Sequence, residues 1–178
     1  MILYAVRHGQ TEKNKYGLVQ GQTEADLNEV GIEEAKKLQS LVNDLNIDVV
    51  ISSPLRRAKD TAKIITRDKF PINIDDRIIE RDWGMCEGAP IDEVDTVRCW
   101  NFFLNTDANG IEKVQDLLKR VSEFLEDIKV RFSDKKVLVV THSAILRAIH
   151  YSLSPIPEDG DMSKLELPNL RIIEYELK

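Results

Sequence analysis

The chain has 178 residues, of which 42% are hydrophobic and 31% charged, and a formal net charge of −6. That length fits one domain spanning residues 1–178, since domains run about 100–200 residues, and a chain of this size buries roughly 70% of its unfolded surface without needing disulfides or a metal. The composition excludes collagen-like, low-complexity and disordered chains. The acidic balance argues against sequence-independent nucleic-acid binding, which runs on excess Lys and Arg.

Two cysteines, Cys86 and Cys99, lie 13 apart, in neither a CxxC pair nor a zinc spacing, and read as reduced thiols. No apolar run approaches the ~20 residues of a membrane span. Met1–Arg7 lacks a basic leader and a small-residue cleavage site, so it reads as a first strand. The expected location is the cytoplasm, with no membrane partner. Monomer and homodimer are both left open.

In chain order, Ile2–Val6 is a short apolar strand that runs into Arg7-His8-Gly9. A polar loop follows through Asn28. Val30–Leu45 carries Ala35, Leu38, Leu41, Val42 and Leu45 at helical spacing. Asp48–Ile51 is a buried strand, and Ser53-Pro54 reads as a helix start, with serine as N-cap and proline at the first helical position. Ile72–Asp75 alternates as a third strand. Residues 80–112 are irregular, with a short helix expected near Asp92–Leu104. Val114–Phe132 is the longest helix, Val137–Val140 a strand buried on both sides, Ser143–Tyr151 a helix and Leu170–Leu177 a last strand.

Alternating strands and helices with fully apolar central strands predict an α/β fold, a three-layer αβα sandwich around a mostly parallel sheet. Such sheets bind ligands at the carboxyl ends of their strands. Three polar clusters follow strand ends: Arg7-His8-Gly9, Ser52–Arg57 and Thr141-His142-Ser143. They are expected to converge on one rim. Two arginines aimed at one point suit an oxyanion, because each presents a planar, permanently cationic fork. A neutral imidazole can attack phosphorus, and a nearby carboxylic acid can protonate a departing oxygen.

The segments that carry these residues resemble the histidine phosphatase superfamily, the phosphoglycerate-mutase-like fold, in its branch 1. Leu3–Thr11 (LYAVRHGQT) resembles the family signature, and Leu27–Gly31 the start of its first helix. Ser53–Ala58 with Thr61-Ala62, Glu80–Gly84 with Glu87-Gly88, and Val139–Ser143 follow in the family's order. The resemblance implies a phosphohistidine on His8, with Arg7, Arg57 and His142 as catalytic groups that also bind the phosphoryl oxygens. It implies Glu80 as the acid and then the base, with Glu87 and Asp82 as competitors for that role. Asn14, Gln20, Gly21 and Ser143 are the further implied substrate-binding residues. Arg56 competes with Arg57, and the family spacing selects Arg57. Ser143 stands where the family usually has glycine. His150 is expected to be structural, and Arg147 to sit in a structural ion pair. No metal and no cofactor is expected.

The implied activity is a metal-independent phosphomonoesterase acting on a small phosphorylated metabolite. The alternatives are a cofactor-dependent phosphoglycerate mutase and an inert phosphate-ligand binding protein. A mutase needs a second anion site, carried in the family by a long insertion; here Gly88–Gly110 holds one basic residue, Arg98. Residues 85–112 are expected to form a small helical cap. Trp83, Met85, Trp100, Phe102 and Phe103 would either pack this cap or touch an aromatic leaving group.

Overall fold

The computed structural model describes residues 1–177. Five strands, β1 (Ile2–Arg7), β2 (Val49–Ser52), β3 (Ile72–Ile74), β4 (Lys136–Thr141) and β5 (Ile172–Glu176), form one sheet in the order β3-β2-β4-β1-β5. The pairs β1–β4, β2–β4 and β2–β3 are parallel, and β5 closes one edge antiparallel to β1. β4 is central because Val137, Leu138, Val139 and Val140 are all apolar and fully buried, which only a strand covered on both faces can satisfy.

Side-chain alternation splits the core in two. Leu3, Ala5, Ile51, Val137 and Val139 face α6 (Val114–Arg131) and α7 (Ser143–Leu153). Tyr4, Val6, Val50, Leu138 and Val140 face α2 (Glu29–Lys37), α3 (Gln39–Asp44) and α4 (Arg56–Thr66). Each fully buried Leu, Ile, Val or Phe side chain stabilises this sandwich by about 1.5–3 kcal/mol. The remaining helices are single turns, α1 (Glu12–Lys15) and α5 (Thr96–Cys99).

Several element boundaries differ from expectation. The predicted helix over 30–45 is two helices, because the Leu38 N–H bonds the Ala35 carbonyl in a tightened turn. Leu41, assigned to the buried face, is half exposed. α4 begins at Arg56, with Leu55 as N-cap, so Ser53-Pro54 lies in the preceding turn. Instead of a helix over 92–104 there is α5 alone, flanked by 3-10 turns at Gly84–Cys86, Ile91–Glu93 and Ala108–Gly110. The last strand starts at Ile172, since Leu170 adopts a left-handed conformation that ends any strand there.

Candidate active site

The carboxyl ends of β1 and β4 lie side by side, with Arg7 paired to Thr141 and the His8 N–H donating to the Thr141 carbonyl at 2.9 Å. The next residue on each strand is a histidine. The rings of His8 and His142 stand edge to face, 5.1 Å apart, and both are buried. Loops leaving two adjacent parallel strands at the same height force this convergence.

His8 is held in one tautomer. Its Nδ1 lies 2.7 Å from the Gly9 carbonyl, an obligate acceptor, so Nδ1 carries the proton. Its Nε2 then accepts from Arg57 Nε at 3.2 Å. Burial, reinforced by Arg57 and Arg7, holds the His8 pKa well below the usual imidazole range. His142 is depressed in the same direction, by burial first and then by Arg57 and His8. Both rings are neutral at pH 7.

Arg57 is fully buried. Nη2 donates to the Gly21 carbonyl at 2.7 Å and Nη1 to the Thr23 carbonyl at 2.9 Å. Arg7 Nη1 donates to the Leu167 carbonyl at 2.8 Å. Neither cation has a hydrogen-bonded carboxylate among the described residues. Arg7 Nε, Gln20 Nε2 and His142 Nδ1 are buried polar atoms with no protein partner. Unpaired buried charge and idle donors are costly unless a ligand satisfies them. The site is therefore built to receive an anion.

Ser53 is the hydrogen-bond partner of His142. Its Oγ accepts from the Leu55 N–H at 3.3 Å and lies 2.6 Å from His142 Nε2. The hydroxyl keeps both a proton and a second lone pair to offer that nitrogen. When the hydroxyl donates to Nε2, Nδ1 carries the imidazole proton and is a donor with no protein partner.

A cleft of about 300 Å³ opens above this floor, lined by Arg7, His8, Asn14, Gln20, Glu80 and Ser143, with Trp83, Asn169 and the Gly17–Val19 and Ile91 segment as further walls. Glu80 is buried; its Oε1 accepts from the Arg81 N–H at 2.9 Å and the Ala144 N–H at 3.2 Å. Ser143 Oγ lies 3.5 Å from its Oε2. Burial pushes the Glu80 carboxyl up, against the lowering pull of the Arg81 N–H bond and of Arg57, Arg7 and Arg120. The competitors are engaged elsewhere. Glu87 accepts from the Gln22 and Thr23 N–H groups, and Asp82 from the Gly84 N–H. Arg56 is exposed and paired with Asp26.

Other expected residues hold indirect positions. Gly21 does not line the cleft: its carbonyl anchors Arg57, and a Cβ there would collide with the Glu87 carboxylate. Asn14 lines the cleft while its Oδ1 accepts from the Thr11 N–H in a capping box. Arg147 makes no ion pair among the described residues. It donates to the Met162 and Leu165 carbonyls and stacks on Trp100, 4.7 Å from the ring centre. His150 packs against Tyr151. Of Trp83, Met85, Trp100, Phe102 and Phe103, Trp83 alone lines the cleft; Trp100 is buried, and Met85 and Phe103 are exposed.

Sequence reasoning missed three residues. Asn169 donates to the His8 carbonyl at 2.6 Å, Thr61 Oγ1 accepts from the Gly9 N–H at 3.0 Å, and Ser53 supports His142. Thr61 and Ser53 stand inside quoted motif segments, so their spacing was the available signal. Asn169 had none, because it arrives from a loop more than 160 residues away.

This architecture recurs in solved structures. A phosphoserine phosphatase variant from Entamoeba histolytica, crystallised with phosphoserine, superposes with a TM-score of 0.86 at 26% identity, over 99% of this chain and 91% of that one. Among curated proteins, the uncharacterized phosphatase PhoE of Bacillus subtilis (strain 168) is 35% identical over 96% of this chain and 86% of its own length. Phosphoserine phosphatase 1 of Hydrogenobacter thermophilus is 34% identical over 91% and 78% respectively. The family model of the histidine phosphatase superfamily (branch 1) matches residues 3–178, and the chain belongs to that superfamily.

Proposed function

We propose that the chain hydrolyses small phosphomonoesters through a phosphohistidine formed on His8. The observation that carries this reading is a neutral, buried imidazole whose Nε2 keeps its lone pair beside Arg57, in a site where Arg7 Nε, Gln20 Nε2 and His142 Nδ1 have no protein partner. Relatives named as phosphatases support the reaction class.

The dianionic phosphoryl group enters above His8. Arg57 Nε exchanges the ring nitrogen for a phosphoryl oxygen, while Arg7 Nε and His142 Nδ1 donate to the others. His8 Nε2 forms the bond to phosphorus as the bond to the leaving oxygen breaks. Glu80, in its protonated form, which burial favours, gives its proton to that oxygen, and the alcohol departs. A water then attacks phosphorus, Glu80 takes the proton back, and the electron pair of the P–N bond returns to Nε2. The cations stabilise charge on the equatorial oxygens, which is the main demand of a loose phosphoryl-transfer transition state.

The mutase alternative is less well supported, since one basic residue, Arg98, occupies 88–110 and it does not line the cleft. Residues 1–178 act as a single domain with 85–112 as the cap, in the cytoplasm and without a cofactor. Rapid quenching during turnover of an aryl phosphate labelled at phosphorus tests the mechanism. Acid-labile, base-stable label on the wild-type chain, and none on His8→Ala, is the expected result. Full turnover by His8→Ala would refute it.

A further inference from the structure

Above the phosphate floor, the cleft changes character. The walls are Leu18, Val19, Ile91 and Trp83, with the neutral amides of Asn14, Gln20 and Asn169 between them. The one cationic lining residue, Arg7, and the neutral imidazole of His8 both belong to the floor, and the one further ionisable group in the lining is Glu80. The cations of the surrounding loops do not line the cleft and make their contacts elsewhere. Lys13 donates to Thr23 Oγ1 at 2.8 Å, and Lys15 sits 3.8 Å from Glu12. Lys164 pairs with Asp159 and Asp161. Arg81 is buried beneath Trp83 on the Glu112 and Cys99 carbonyls, and Arg147 holds two other carbonyls.

The apolar wall is also rigid. Val19 N–H donates to the Ala89 carbonyl at 2.8 Å, the Gly88 N–H to the Val19 carbonyl at 2.9 Å and the Ile91 N–H to the Gly17 carbonyl at 2.9 Å. These bonds zip residues 17–19 to 88–91 as a two-stranded ribbon, so Leu18 and Ile91 stay fixed at the mouth. A leaving group that carries a carboxylate would shed water against this wall and meet no counter-charge. An uncharged alcohol would bury its apolar face there and use the amides for its polar atoms.

On the phosphatase reading above, we propose that the substrate's leaving group is an uncharged alcohol with an apolar or aromatic face, and that the cleft discriminates against phosphomonoesters bearing a carboxylate. The specificity-determining residues are Leu18, Trp83 and Ile91. Discrimination arises because the disfavoured ligand leaves a charge unpaired on a fixed surface.

Benzyl phosphate and its 4-carboxy derivative test this directly, because their alcohols differ little in acidity and make the same demand on Glu80. Phosphate release should give a kcat/KM for benzyl phosphate at least tenfold above that for the carboxylated compound. Ile91→Arg, or Leu18→Arg should the first variant misfold, should narrow that gap at least tenfold by supplying the missing cation. Equal turnover of the two esters by the wild-type chain, or an unchanged gap in a folded arginine variant, overturns the proposal alone. Hydrolysis of neither ester overturns the phosphatase reading and the proposal with it.

Discussion

Arg57 donates its Nε–H to His8 Nε2 at 3.2 Å while its other two nitrogens grip the Gly21 and Thr23 carbonyls. One guanidinium thus holds the proposed nucleophile, ties down the loop that carries Gln20, and, on the proposed mechanism, receives the phosphoryl group with no carboxylate partner to displace. A lysine could supply the charge but not the fork. Arg57→Lys is expected to lower kcat/KM for an aryl phosphate by at least about 100-fold, the scale of losing one aimed electrostatic donor. Circular dichroism should show the fold retained, and a loss under threefold would contradict the triple role.

Glu80 lines the cleft with His8, and on the proposed mechanism it protonates the departing oxygen. Proton donation matters when the leaving oxygen is basic and little when it is acidic. Glu80→Gln should therefore slow alkyl phosphates by about 100-fold or more, but the first phosphoryl transfer from p-nitrophenyl phosphate by less than about tenfold. Burst kinetics separate this step from dephosphorylation. Equal losses on both esters would move the acid away from position 80.

The directions of the pKa shifts set a pH profile. His8 must be neutral, and its pKa is held well below the usual imidazole value, chiefly by burial. Glu80 must be protonated, and burial raises its pKa. The kcat/KM for an alkyl phosphate should fall on the acid side through His8 and on the alkaline side through Glu80, with the alkaline limb lost in Glu80→Gln. Stability carries its own signature. Both histidines bind protons more tightly when unfolded, so the full contribution holds above about pH 6.5 and is lost as pH falls below it. Glu80 works oppositely: its raised pKa favours the fold at low pH, and that contribution fades as pH rises through the folded value. The histidines should dominate between about pH 6.5 and 5, so the thermal midpoint should drop there and drop less in His142→Asn. An identical drop in the variant would contradict this.

The legible parts of this chain were those in which local chemistry and tertiary demand agree. Val137–Val140 could only be a doubly buried strand, and His8 and His142 each follow an apolar strand directly, so their meeting at 5.1 Å follows from parallel topology. The family spacing selected Arg57 over Arg56, and α4 turns Arg57 inward and Arg56 out. Ser53 was misread because serine before proline is locally an N-cap signal, whereas its hydroxyl is recruited by His142 from β4. Arg147 was misread because an ion pair is the ordinary fate of a buried arginine, and carbonyls from the 162–165 loop take that place here. Asn169 was invisible, since no short-range pattern marks a loop that returns to the first strand.

Ser53 offers a test of positioning as distinct from chemistry. If its hydroxyl donates to His142 Nε2, removing it frees the ring to place its proton on either nitrogen, and the donor at Nδ1 is then present only part of the time. Ser53→Ala should lower kcat for phosphoryl transfer by about tenfold, the scale of one mispositioned hydrogen bond. The lone-pair signature in the 15N spectrum of His142 should move from Nε2 toward Nδ1. Ser53→Thr, which keeps the hydroxyl, should restore both. An unchanged 15N pattern in Ser53→Ala would remove Ser53 from the site.

Trp100 ties the cap to the acid. Its ring lies between two guanidinium groups, Arg81 at 4.6 Å and Arg147 at 4.7 Å, and meets Trp83 edge to face at 6.0 Å. Burial pulls both arginines down to about 10, which still leaves them cationic at neutral pH. The same Arg81 donates its backbone N–H to Glu80, and Trp83 lines the cleft, so one stack supports the acid and the leaving-group wall together. Trp100→Ala removes a buried ring and the face on which two charges rest, and should cost about 3–5 kcal/mol of unfolding free energy. If the stack positions Glu80, the folded fraction should lose kcat on alkyl phosphates more than on aryl phosphates, as Glu80→Gln does. Equal losses on the two ester classes would make the stack a stability element alone, because a general loosening of the cap has no reason to follow the basicity of the leaving oxygen.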